Sequence, residues 1–95
     1  MNIEAILNSL KGKDILIEEY GTITHSDIMI YKFDWRCYSY DDNKERIVFK
    51  SKANECDCID YITFDSGAVK EIKETSYDIF EIEFNHGQSI ILTEI

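Results

Sequence analysis

The residues able to do chemistry in this 95-residue chain are few: Cys37, Cys56, Cys58, His25, His86 and a large excess of carboxylates. Cys56 and Cys58 form a C-x-C pair, but two thiolates supply only half of a tetrahedral zinc set, and neither histidine sits at a conventional spacing from them. Nucleophilic catalysis requires a Ser or Cys beside a His that is itself oriented by a carboxylate. His25 falls in a polar connection and His86 in the turn Asn85-His86-Gly87, so neither has a nucleophile placed beside it. The four glycines are scattered singly, which excludes a phosphate-cradling loop, and no carboxylate run has calcium-loop spacing. The expectation is a protein that is not an enzyme and carries no cofactor and no metal. An odd cysteine count lacks the even framework of a disulfide-stapled secreted domain, which points to a reducing, cytoplasmic setting.

The carboxylates are the feature left over. Nineteen acidic against ten basic side chains give a formal charge of −9. Such a field repels nucleic acid and anionic membrane, so the expected partner is a protein with a basic surface, with no direct nucleic-acid binding and no membrane association. Glu18 and Glu19, Asp41 and Asp42, Asp57 and Asp60, and Glu81 and Glu83 lie on or between different extended segments, so several can share one sheet face or rim. Spaced carboxylates can imitate the phosphates of a duplex and occupy a basic DNA-binding cleft as a competitor. The plain alternative is a solvated acidic surface that serves solubility.

The elements that position these groups follow from periodicity. Ile3, Ile6, Leu7 and Leu10 recur at i, i+3, i+4 and i+7, one stripe of a short helix, with Asn2 as its N-cap, Glu4 near its positive end and Lys11-Gly12 as its stop. Asp14 to Tyr20 reads as a first strand, followed after a polar connection by Ile28 to Tyr40, the longest apolar and aromatic run. Met29, Tyr31, Phe33, Trp35 and Cys37 fall on one face of that run and Lys32, Asp34 and Arg36 on the other. Its 13 residues would span roughly 40 Å as one strand, so a bend or bulge is expected along it. Further strands are read at Arg46 to Ser51, Cys58 to Phe64, Ala68 to Glu74 as an edge, Tyr77 to Phe84 and Gln88 to Glu94. Asp65-Ser66-Gly67 is read as a bulged hairpin connection.

Together these segments predict a single α+β domain over 1–95: a short N-terminal helix packed on a strongly curved antiparallel sheet of six to seven strands, a roll or partly open small barrel. The helix-then-strands order is similar to that of Sm-like and SH3-like barrels, a likeness of fold order alone. No segment reaches transmembrane length, and MNIEAILNSLKGK lacks the basic start and apolar core of a signal peptide. Trp35 with Tyr31, Phe33, Tyr38 and Tyr40 has the composition of a base-stacking platform, but such platforms sit in basic grooves. With neighbouring charges mixed or negative, an aromatic core with Trp35 mostly buried is expected instead.

Met1 to Ile3 (MNI), Ile6-Leu7, the K-x-K-D of Lys11 to Asp14, Gly21-Thr22 and Ser26 resemble, without a gap, the opening of a small anti-CRISPR protein family. The resemblance covers about the first quarter of the chain. Members of that family are phage-encoded acidic DNA mimics that block Cas9 at its PAM-reading site. They follow the helix and antiparallel sheet with acidic helices, where this chain continues into strands. The resemblance implies a phage or mobile-element inhibitor of a CRISPR Cas9-type nuclease, and it carries over Asp14 as a member of the acidic inhibitory surface. The candidate partner contacts are then Asp14, Glu18, Glu19, Asp41, Asp42, Glu81 and Glu83 on a monomer or dimer. Two other classes fit the same residues: an immunity protein that neutralises a basic toxin, and a non-enzymatic structural or oligomerisation module.

Overall fold

In the computed structural model, residues 2–21, 26–41, 44–52, 61–76 and 79–95 are described. Helix α1 (Ile3–Leu10) starts where Asn2 Oδ1 accepts the Glu4 N–H at 2.8 Å, and it ends before Gly12, whose φ of 84° is a left-handed value that glycine adopts without strain. It buries Ile6, Leu7 and Leu10, three residues of the stripe read from the sequence.

Among the described residues eight strands follow, all paired antiparallel, in two sheets. β1 (Ile15–Tyr20), β2 (Ser26–Ile30), β6 (Val69–Ser76), β7 (Ile79–Phe84) and β8 (Ser89–Glu94) form a five-stranded sheet in the order β2-β1-β8-β7-β6. β3 (Phe33–Asp41), β4 (Lys44–Ser51) and β5 (Ile62–Asp65) form a three-stranded sheet in that order. The α+β class with one N-terminal helix and antiparallel strands is as read from the sequence; the strand count and the division into two sheets are not. One core joins the layers: Ile15, Ile17, Ile82 and Leu92 from the larger sheet, Phe33, Ile47 and Phe49 from the smaller, and Ile6, Leu7 and Leu10 from α1. Phe33, Phe49, Phe64 and Phe84 run through it edge to face at 5.0 to 5.4 Å between centroids, carrying contact from β3 to β7. Among the described residues no helix is long and apolar enough to cross a membrane.

Two expectations are corrected. The run Ile28 to Tyr40 is not one strand, because the chain breaks at Tyr31-Lys32 and passes from one sheet to the other. Lys32 takes a φ of 51°, and its N–H is held by the Asp14 carboxylate at 3.1 Å. The break shifts the alternation by one residue. Ile28 and Ile30 point inward from β2, paired with Ile17 and Ile15, whereas Phe33 and Trp35 point inward from β3. Met29 and Tyr31 therefore leave the face they were assigned to, and Tyr31 is 59% exposed. Trp35 is mostly buried, as expected: it packs against the core, and its Nε1 donates to Asn8 Oδ1 at 3.0 Å. Secondly, Asp65-Ser66-Gly67 is no hairpin. Ser66–Ala68 is a 3-10 turn that carries the chain from β5 in the small sheet to β6 in the large one. β6 is nevertheless an edge strand, as its pattern indicated, and β8 is the central strand of the larger sheet.

Candidate partner-binding surface

The larger sheet turns its aliphatic face inward, so the alternate residues make its outer face. Strand register places these in rows. One row reads Asp27, Glu18, Ile91, Glu81, Lys73 across β2, β1, β8, β7 and β6. The next reads Tyr20, Ser89, Glu83, Glu71, and the row on the other side reads Met29, Leu16, Thr93, Ile79, Ser76. Neighbouring strands stand about 4.8 Å apart, so Glu18 and Glu81 lie roughly 10 Å apart with Ile91 between them. The result is a band of carboxylates bordered by an apolar strip.

Two like-charge pairs are directly opposed in this band, Glu18 with Asp27 and Glu71 with Glu83. Each such pair costs about 0.2–1 kcal/mol relative to neutral neighbours. Relief is uneven. Glu83 meets Lys70 at 3.5 Å and Lys73 at 3.8 Å, and Lys73 also reaches Glu71 at 3.7 Å, all exposed contacts of small energetic value. Among the described residues no cation lies within ion-pairing distance of Glu18 or Glu81. Glu18 instead accepts the Tyr20 hydroxyl at 2.7 Å, and this bond, helped by desolvation and by the charges of Glu18 and Asp27, raises the Tyr20 phenol above its ordinary value. Over the described strands, the larger sheet carries eight carboxylates against two lysines, whereas the smaller carries four against four. The negative charge is thus concentrated on one sheet.

Of the candidate contacts, Glu18, Glu81 and Glu83 come together on this face. Asp27 and Glu71 join them and were missed from the sequence, because their positions depend on which strands pair. Glu19 has the inward parity of Ile15 and Ile17 and stands at the end of the inner row Ile90, Ile82, Ile72. It borders a cleft of about 410 Å³ between the sheets, where Phe64 and Phe84 line the wall with Arg46, Asp65, His86 and Gln88. The polar groups of that cleft are largely satisfied by each other, Arg46 by Asp65 at 3.4 Å and His86 by Gln88 at 2.5 Å, which leaves little to orient a small ligand. Asp41 sits at the β3–β4 hairpin, 3.9 Å from Lys44 and far in sequence from the acidic band. Asp14 serves the corner at Lys32. Asp42 lies outside the described residues, as do Cys56, Cys58, Asp57, Asp60 and His25. Cys37 is exposed, and among the described residues no three His, Cys, Asp or Glu side chains are grouped to hold a metal.

No protein-family model matches the chain, and neither a curated protein nor a solved structure is detectably similar to it.

Proposed function

We propose that this is a non-enzymatic acidic inhibitor that binds the basic nucleic-acid-binding site of a defence effector, a CRISPR Cas9-type nuclease being the first candidate, through the outer face of its five-stranded sheet. The observation that carries this reading is the row Asp27, Glu18, Ile91, Glu81: carboxylates held at strand spacing on a rigid sheet, with two of them kept near each other at a cost in stability. Surface charge needed only for solubility has no reason to be opposed in this way. Ile91 and the Met29, Leu16, Ile79 strip supply apolar area beside the charges, which a competitor of nucleic acid needs for affinity, since charge alone mainly governs association rate. The N-terminal resemblance supports the choice of effector, although the acidic band involves other residues than Asp14.

The test is competition against a panel of Cas9-type nucleases, reading DNA binding and cleavage. The wild-type chain is expected to reduce both in at least one nuclease. Glu18→Lys with Glu81→Lys is expected to slow association roughly tenfold and flatten its salt dependence. Absence of any complex across the panel overturns the nuclease reading. Capture of a basic toxin encoded beside this gene, weakened by the same reversals, assigns the face to an immunity protein instead.

A further inference from the structure

The smaller sheet has an unused edge, and its hydrogen-bond parity defines how long that edge is. In an antiparallel ladder each residue points both its N–H and its C=O to the same side, and successive residues alternate sides. Lys32 O accepts from Lys52 N–H at 2.9 Å, so the even residues of this segment face β4. The odd residues face away. Phe33 confirms it, since its N–H donates to Lys13 O and its C=O accepts from Gly12 N–H, both at 2.7 Å, in the link between α1 and β1. Trp35 N–H is capped by the Asp34 carboxylate at 2.9 Å. Beyond Trp35, no strand among the described residues pairs with this edge. The pairing register shifts between Ser39 and Asp41, which ends the regular ladder. The open window is therefore the Trp35 C=O with the N–H and C=O groups of Cys37 and Ser39, centred on Cys37.

We infer that this window is the contact for a second copy of the chain, with β3 pairing antiparallel to its twin about a two-fold axis at Cys37 to give one continuous six-stranded sheet. This inference is independent of the acidic-face reading. Three observations favour a twin as occupant. The window is symmetric about its own centre, as an isologous contact requires. Centring on Cys37 puts Arg36 opposite the twin's Tyr38 and Asp34 opposite the twin's Tyr40, with no like charges opposed; Tyr38 and Tyr40 are 48% and 43% exposed. The four-against-four balance of the small sheet also makes it the side on which two chains of charge −9 approach with least repulsion, their acidic faces turned away.

Five residues from each copy bury a small area, so the dimer is weak, with a dissociation constant on the order of 100 µM. Sedimentation equilibrium of the full chain is expected to show it at high concentration. Added salt is expected to strengthen it by screening repulsion, the opposite of its effect on binding to a basic partner. Cys37→Pro removes an outward N–H and none from the β3–β4 ladder, so it is expected to give a monomer with a thermal midpoint within a few degrees of the parent. In a Cys56→Ser, Cys58→Ser chain, mild oxidation is expected to link Cys37 to its twin, because directly opposed hydrogen-bonded residues have Cα atoms about 5.5 Å apart, within disulfide reach. A chain that stays monomeric at several times that concentration overturns the inference. So does a dimer that survives Cys37→Pro, or one that forms no Cys37 disulfide.

Discussion

The carboxylate of Asp14 accepts the backbone N–H of Lys32 at 3.1 Å, and this bond holds the residue with φ of 51° where the chain leaves one sheet for the other. Position 14 thus has a structural duty whatever its charge does for a partner. Asp14→Ala is expected to cost about 1 kcal/mol through the lost acceptor. That loss lowers the thermal midpoint by roughly 4–8 °C in a domain of this size. Asp14→Asn keeps an acceptor and is expected to retain most of the stability. Partner binding measured on Asp14→Asn then isolates the charge: unchanged affinity assigns Asp14 to the corner alone, and lost affinity restores it to the interface.

Glu18 is expected to behave in the opposite sense. It opposes Asp27 across β1 and β2, and Gln in its place keeps an acceptor for the Tyr20 hydroxyl while removing the repulsion. Glu18→Gln should therefore raise the stability of the free protein by about 0.2–1 kcal/mol, more at low salt than at high. The same change should slow association with a basic partner. A residue whose removal stabilises the chain and weakens its binding is one retained for function. Glu18→Gln that destabilises the free chain would refute this account of the acidic band.

Gly21 follows β1 with φ of 91°, and a Cβ there would stand 2.8 Å from Gly87 O and 2.9 Å from Gln88 Cα. Both obstacles are backbone of the β7–β8 turn, which cannot rotate aside. Gly21→Ala combines a left-handed conformation with a main-chain clash, so a loss of about 2–3 kcal/mol is expected in denaturant unfolding. Gly12, also left-handed but with open space around it, is expected to lose only about 1 kcal/mol on the same change.

Much of the fold was legible because local pattern decides it. The Ile3, Ile6, Leu7, Leu10 stripe made the helix, and the alternation Phe80, Glu81, Ile82, Glu83, Phe84 told which carboxylates of β7 face out. The break at Lys32 was not legible, since lysine carries no turn signal and the device that holds it, Asp14, lies on the far side of β1 in sequence. The acidic band was half legible for a related reason. Alternation turned Glu81 and Glu83 outward, but their convergence with Glu18 depends on β8 inserting between β1 and β7, a non-local pairing that no window of sequence encodes. Asp27 was read as part of a connection and Glu71 as an ordinary edge residue, so both were missed.

Alkaline pH should find Cys37 slow to ionise. Desolvation by its neighbours, the hydrogen bond from its Sγ to Glu45 Oε2 at 3.4 Å, and the charges of Glu45 and Glu4 all raise its thiol above the usual value. The folded state thus favours the neutral thiol, and by linkage the associated stability is present below the unfolded thiol's pKa and is lost as pH rises through the higher folded one. In a Cys56→Ser, Cys58→Ser chain, alkylation by iodoacetamide at pH 8 is expected to be slower than for an unstructured cysteine, since the thiolate is the nucleophile. Glu45→Gln should accelerate it. A Cys37 that reacts as fast as a free thiol contradicts this electrostatic picture.

Trp35 and Phe49 face each other across β3 and β4, and their different burial predicts different costs of truncation. Phe49 is fully buried and edge-on to both Phe33 and Phe64, so Phe49→Ala is expected to cost about 3–5 kcal/mol. Trp35 is less completely buried than Phe49, and the one described hydrogen bond of its indole is the exposed bond to Asn8. Trp35→Ala should cost roughly half as much as Phe49→Ala, and Asn8→Ala, which removes only the bond, less than about 1 kcal/mol. Denaturant unfolding of the three variants under one condition checks the order. If Trp35→Ala leaves the thermal midpoint within a degree or two and abolishes partner binding, its indole is an interface anchor. The edge of β3 beside α1, and not the outer face of the five-stranded sheet, is then the surface that meets the partner.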